Sequence, residues 1–195
     1  MSRLKSSLQS MKMSMPNINF EQVFKTLLQK NPGKSDQMLF YIQVTRGGNW
    51  PRTHAYQSNE QANVFCDINP LKLPTYEKFE RFKVITLTDN RWAQCHIKST
   101  NLIANTMAYN QAISEGAVEA ILHRDGKIVE GSKSNVFIVK NNAVITPPLR
   151  HYMLGGTLRK RTLTLLHKLK IPHHEAAISK DELLTADEVW ITSTT

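Results

Sequence analysis

Three short stretches carry groups suited to chemistry. Gly155-Gly156-Thr157-Leu158 stands where a helix is expected to open. Glycines let an anion approach the backbone, and the free N–H groups of a first helical turn point at it from the positive end of the helix dipole. Ser193-Thr194-Thr195 follows an apolar run and offers a second cluster of donors at a strand end. Lys98, in CHIKSTNL, has small and apolar neighbours. A lysine that is desolvated beside an anion site has a lowered pKa and serves as a Schiff-base nucleophile. Each feature also has a plainer meaning: a cap, a turn, a solvated lysine. Local sequence alone favours the plainer one. The sequence has no Walker A, GxGxxG, HExxH or paired CxxC pattern. Cys95-His96 and His173-His174-Glu175 read as surface or core residues rather than metal ligands.

The elements that must position these groups follow from periodicity and turn chemistry. Leu4, Leu8, Met11 and Met15 recur at helical spacing, so a first helix is expected to end near Pro16; the alternative is an organellar transit peptide, since the first twenty residues hold no acid. Asn19 with Gln22 resembles a capping box ahead of Phe20, Val23, Phe24, Leu27 and Leu28, and Pro32-Gly33 stops that helix. Met38 to Thr45 is apolar on both alternating faces and reads as a central strand. A polar loop and a strand, Asn63 to Ile68, follow, and Asn69 to Pro74 is the linker candidate. Beyond it come a strand at Lys83 to Thr88 and the stretch Asp89-Asn90-Arg91-Trp92. A helix is expected near Asn101 to Glu115, with Leu102, Ile103, Thr106, Met107 and Ile113 sharing a face. Asp125-Gly126 and Asn141-Asn142 then mark two hairpins. The helix after Gly155-Gly156 is expected to point Leu158, Leu165, Leu166 and Leu169 one way. A short helix near Lys180 to Leu184 and a strand, Glu188 to Thr192, close the chain. The class is α+β: a small partial α/β domain over 1–72 and a larger one over 73–195, rich in antiparallel strands forming a sheet or barrel with helices.

Composition narrows the function classes. The 195 residues are 41% hydrophobic and 21% charged, ordinary globular proportions, and the 8 glycines and 8 prolines exclude collagen-like and Pro/Gly-rich classes. No apolar run approaches a membrane span, and two cysteines suit a reduced, cytoplasmic protein rather than a disulfide scaffold. Net charge is 25 − 16 = +9, but the cations are scattered. A compact anion site is therefore favoured over nucleic acid or a membrane surface.

Taken in order, YIQVTRG…PRTHAY, DNRWAQCHIKSTNL, GAVEAILHRDGKIVEGSKSNVF, ITPPL…MLGGTLR and ADEVWITSTT resemble the fold-type IV pyridoxal-phosphate transaminases, and within them the branch acting on D-amino acids. The resemblance covers nearly all of the chain. It implies that Lys98 forms the Schiff base with pyridoxal 5′-phosphate and shuttles the proton. It implies that Glu130 contacts the pyridine nitrogen, keeping it protonated so that the ring is a stronger electron sink. Asn135, closing the EGSKSN segment, belongs to the same cofactor set. The amides of Gly156, Thr157 and Leu158, with Ser193, Thr194 and Arg3, match the phosphate-binding groups. Arg52 and His54 match an R-x-H trap for the substrate carboxylate; in the family this pair reaches across a dimer interface, which implies a homodimer. As i and i+2 residues of an extended segment, the two point the same way. The implied reaction converts D-alanine and 2-oxoglutarate to pyruvate and D-glutamate.

The sequence departs from the family pattern at several places. It begins near the phosphate arginine and ends at Thr195, so the family's first strands and its C-terminal strands and helix are not in it. Lys133 stands inside the EGSKSN segment, the hydroxyl of Gly156-Thr157-Leu158 is moved by one place, and the R-G…P-R-x-H loop carries one extra residue around Asn49-Trp50. Three alternatives accompany the main reading: an aminodeoxychorismate lyase, a branched-chain transaminase, and an inactive truncated remnant. The Arg52/His54 pair favours the D-amino acid branch.

Overall fold

The computed structural model describes residues 1–32, 37–48, 50–51, 53–56, 61–71 and 81–194. The chain divides into two compact units, Met1–Phe79 and Glu80–Thr195. The boundary expected at 72–73, Arg52, and the end of the Asn69–Pro74 linker lie outside the described residues.

In the first unit, α1 (Ser2–Ser10) stops short of Pro16. Lys12 adopts φ 54°, and the Lys12 and Met13 N–H groups donate back to Gln9 and Leu8 carbonyls at 2.9 and 2.8 Å. This is a Schellman closure, with Leu8 and Met13 both buried beside it. α2 (Phe20–Lys30) opens as expected, the Asn19 side chain accepting from the Gln22 N–H at 3.0 Å. β1 (Met38–Thr45) and β2 (Asn63–Pro70) pair antiparallel, from Met38 opposite Pro70 to Thr45 opposite Asn63. Among the described residues β1 has β2 as its one neighbour, where the apolar pattern implied a central strand. It belongs to a two-stranded sheet, and no residue of it is fully buried. Phe24 of α2 packs on Phe40, whereas Tyr41 and Phe65 meet edge to face on exposed surface.

The second unit holds two open sheets; among the described residues no barrel closes. β3 (Val84–Thr88) runs parallel to β4 (Glu119–Arg124), joined through α3 (Ile103–Ser114), and β4 turns back into β5 (Lys127–Gly131). β6 (Asn135–Lys140) and β7 (Ala143–Thr146) form the second hairpin. β8 (His173–Glu175) adds parallel to β7 after α4 (Thr157–Lys168), and β9 (Glu188–Thr192) adds to β6 after α5 (Lys180–Leu184), giving the order β8-β7-β6-β9. Both hairpin turns have two consecutive positive φ values, at Asp125-Gly126 and Asn141-Asn142, as a two-residue type I′ turn requires.

Alternation on β6 divides the core. Val136 and Ile138 pack with Ile121, Ile128, Ile178 and Leu183, while Phe137 faces Val144 and Leu166. The helices bury different faces from those periodicity suggested. α3 meets the sheet through Ala108 and Ala112, leaving Ile103 75% and Met107 69% exposed. Small side chains let a helix approach a sheet closely. α4 buries Arg159 and Leu166 and half-buries Leu163, an i, i+4, i+7 stripe, so Leu165 and Leu169 point outward. His173-His174-Glu175 is the strand β8, and no group of three or more His, Cys, Asp or Glu among the described residues is placed to hold a metal.

Candidate functional site

The chemistry of the second unit gathers at the end of β5. Glu130 is 4% exposed. Its Oε1 accepts from Arg91 Nη1 at 2.7 Å, its Oε2 from Asn135 Nδ2 at 3.1 Å, and both oxygens from the Leu154 N–H at 3.2 and 3.1 Å. Burial pushes the Glu130 carboxyl up to about 7, with the Arg91 charge and the hydrogen bonds from Arg91 and Leu154 pulling against it. Arg91 is itself forked on Asp89, Nε to Oδ1 at 2.9 Å and Nη2 to Oδ2 at 3.0 Å. Arg124 Nε reaches the same carboxylate at 2.9 Å. Burial opposes charge on Asp89, but the Arg91 and Arg124 hydrogen bonds and the Arg91 charge outweigh it and hold Asp89 below the usual carboxylate range. Burial likewise opposes the Arg91 charge; Asp89 and Glu130 outweigh it and raise the guanidinium.

The turn between β5 and β6 is fixed by a second buried carboxylate. Glu119, fully buried on β4, accepts from the Ser132 N–H at 3.1 Å, from Ser134 Oγ at 2.7 Å and from Ser132 Oγ. A Cβ at Gly131 would overlap Ser134 Oγ and press on Glu119, so glycine alone fits there. This anchoring sets Glu130 and Asn135 at the two ends of one rigid turn. Lys133, at its tip, is exposed and lies 3.9 Å from the centre of the Tyr109 ring.

Asn135 links the carboxylate to the start of α4. Its Nδ2 donates to Glu130 and to the Leu154 carbonyl at 2.9 Å, and its Oδ1 accepts from the Gly156 N–H at 3.1 Å. Gly156 is the N-cap of α4, and no side chain among the described residues caps that helix. The first-turn amides of Thr157 and Leu158 therefore form a donor set with the helix dipole behind it. Thr157 Oγ1 lies 3.2 Å from Thr194 Oγ1, just past the end of β9, and the buried Thr192 Oγ1 has no partner among the described residues. Thr157, at the start of α4, and Thr194, 37 residues later, are thus brought into contact, with Gly156 and Leu158 flanking the one and Ser193 preceding the other in the chain.

Lys98 is exposed at the end of a turn that runs from Arg91. That turn is pinned at several points. Arg124 Nη2 donates to the Arg91 and Trp92 carbonyls at 2.9 and 3.2 Å, and the His96 N–H donates to the His151 carbonyl at 3.0 Å. Arg3 and His54 belong to the first unit, Arg3 on α1 with burial lowering its guanidinium and His54 on exposed surface. Asp89, Arg91, Glu119 and Arg124 carry no role in the sequence reading. The signal for Glu119 was available: it is an acid within the apolar run of β4. Asp89-x-Arg91 at a strand end was the other.

The sequence profile of the family described as Amino-transferase class IV matches residues 1–195. A D-alanine aminotransferase from Bacillus licheniformis is 43% identical over 155 residues, 80% of this chain and 54% of that protein. One from Staphylococcus haemolyticus is 36% identical over 155 residues, 79% and 55% of the two chains. The chain thus spans about half the length of the curated relatives it matches. Among solved structures, a branched-chain aminotransferase from Thermoproteus uzoniensis with norvaline superposes at a TM-score of 0.76 and 26% identity, covering 99% of this chain and 66% of that one. The branched-chain enzyme of Thermobaculum terrenum in its PLP form superposes at 0.81 and 20% identity over 99% and 64%, a likeness of fold.

Proposed function

Because the chain belongs to the class IV aminotransferases, whose cofactor is pyridoxal phosphate, we propose that it acts on a D-amino acid, converting D-alanine and 2-oxoglutarate to pyruvate and D-glutamate. The observation that carries this reading is the Asn135 side chain. One amide ties the buried Glu130 carboxylate to Gly156, the residue that opens α4, so the group that suits a pyridine nitrogen and the helix start that suits a phosphate are linked through a single residue. The Thr157–Thr194 hydroxyl pair at the start of α4 supports the phosphate end.

When bound, the cofactor supplies an electron sink for the pair left on the substrate carbon. The chain's residues do the rest. Glu130 holds a proton at the pyridine nitrogen. The amides of Thr157 and Leu158, with Ser193 and Thr194, hold the phosphate, and Gly156, its own N–H bonded to Asn135, lets the phosphate approach the backbone. Lys98 would supply the amine to which the cofactor attaches and would move the proton at the substrate carbon. Arg52 and His54 bind the substrate carboxylate, working as a homodimer in which each protomer lends that pair to its partner. The two unpaired thiols suit a reducing, cytoplasmic setting.

The test is the visible spectrum of the chain with pyridoxal phosphate, before and after D-alanine or L-alanine, with Lys98→Ala as control. The expected result is a Lys98-dependent band that D-alanine alone converts. A band that ignores both alanines favours a lyase or a branched-chain activity, and no Lys98-dependent band refutes the reading in favour of an inactive remnant.

A further inference from the structure

The cation behind Glu130 has no part in the reading above. Arg91 sits just beyond β3, and its side chain is 4% exposed. Asp89 grips Nε and Nη2 as a fork, and Nη2 also donates to the Tyr152 carbonyl at 3.3 Å. The plane of the guanidinium is therefore fixed, and Nη1 is left aimed at Glu130 Oε1, 2.7 Å away. The other described hydrogen-bond partners of Glu130, the Leu154 N–H and the Asn135 amide, are neutral. Arg124, Asp89, Arg91 and Glu130 form a row of alternating charge running inward from the partly exposed Arg124.

We propose that Arg91 is the positioning residue that keeps Glu130 ionised, aimed and able to hold a protonated pyridine nitrogen, with Asp89 fixing Arg91 for that task. The proposal rests on the pyridoxal phosphate reading for its purpose, though not for its electrostatics. A carboxylate taken out of water reverts to the acid unless a charge or hydrogen bond holds it. The neutral acid accepts a hydrogen bond but offers no charge to a pyridinium. The charged and titratable groups around Glu130 are Arg91, Asp89 and the buried Cys95 thiol, with Arg124 of β4 reaching it through Asp89. Asp89 repels Glu130, and Arg91 is the cation in contact with it. An opposite charge at this range displaces a carboxyl titration by about 1–3 pH units. A lysine keeps the charge but lacks the fork that Asp89 holds.

The experiment uses the full chain with and without pyridoxal phosphate. Infrared difference spectra across pH follow the carboxylic acid band of Glu130, assigned by its loss in Glu130→Gln. The pyridoxal phosphate dissociation constant is measured by fluorescence titration at pH 6 and pH 8. In Arg91→Gln the Glu130 midpoint is expected to rise by at least one pH unit, and cofactor binding at pH 8 to weaken at least tenfold, with a smaller loss at pH 6. Arg91→Lys is expected to restore the midpoint to within about half a unit of the parent while recovering only part of the binding. An unchanged midpoint in folded Arg91→Gln overturns the proposal. So does a midpoint in Arg91→Lys displaced by more than a unit, and that arm decides alone where Arg91→Gln does not fold. If the parent binds no pyridoxal phosphate, the cofactor reading fails, while the infrared midpoints still decide what Arg91 does to Glu130.

Discussion

Replacing Gly156 with alanine sets two effects of opposite sign against each other. The residue has φ −65° and ψ 143°, a conformation alanine adopts freely. On backbone grounds alone, the substitution stabilises by about 0.4–1 kcal/mol, because it restricts the unfolded chain. The structure adds a steric term. A Cβ at this position would overlap Asn135 Oδ1 and stand 3.3 Å from its Cγ. Asn135 has no free direction in which to swing, since Nδ2 is bonded to Glu130 and to the Leu154 carbonyl. To clear the methyl, the amide must give up its bond from the Gly156 N–H, about 1 kcal/mol, and its bond to the carboxylate, about 1.5–3 kcal/mol. The net cost is about 2–3 kcal/mol. Urea unfolding followed by circular dichroism would show it as a midpoint lowered by about 1 M at unchanged slope. The same substitution in an Asn135→Ala background has nothing to strike and should be neutral or slightly stabilising. If Gly156→Ala alone is as stable as the parent, or costs as much when Asn135 is already alanine, the account of this contact is wrong.

Two further outcomes follow from the buried charges. Glu130 titrates at about 7 in the folded chain against an ordinary 4.5, so its contribution to stability is complete below pH 4.5 and lost as pH rises through 7. Asp89 is lowered, so its contribution is present above 3.8 and lost as pH falls further. Urea midpoints measured from pH 3 to 8 without cofactor should therefore peak in mild acid; Glu130→Gln should flatten the neutral limb and Asp89→Asn the acid limb. On α4, the buried Arg159 holds the Pro147 carbonyl at 2.8 Å and Glu175 at 2.6 Å, while its Nε has no partner among the described residues. Arg159→Met removes the orphan along with the charge and should cost about 1–2 kcal/mol, whereas Glu175→Ala strands the guanidinium and should cost more. The reverse order in thermal denaturation would contradict this.

What the sequence determined by itself was set by neighbours along the chain. Asp125-Gly126 and Asn141-Asn142 tolerate positive φ, so both hairpins are legible in the sequence. Asn19 carries its own cap acceptor for the Gln22 N–H. The ordered motifs around Lys98, Glu130, Thr157 and Ser193-Thr194 pointed to the family because each keeps its local chemistry. What only the tertiary structure decided was which surface each element meets. Apolar spacing on α3 singled out Ile103 and Met107, yet the sheet accepts the small Ala108 and Ala112, because close approach to β3 and β4 leaves no room for more. On β1 the apolar run implied two neighbours, and the described residues give it one. The Asp89–Arg91–Glu130 row joins residues 39 apart, and the Glu119 anchor reaches from β4 to a turn 13 to 15 positions later. A buried charge is tolerable only beside its partner. Which cation stands behind a carboxylate is fixed by how strands stack, and no spacing rule along the chain contains it.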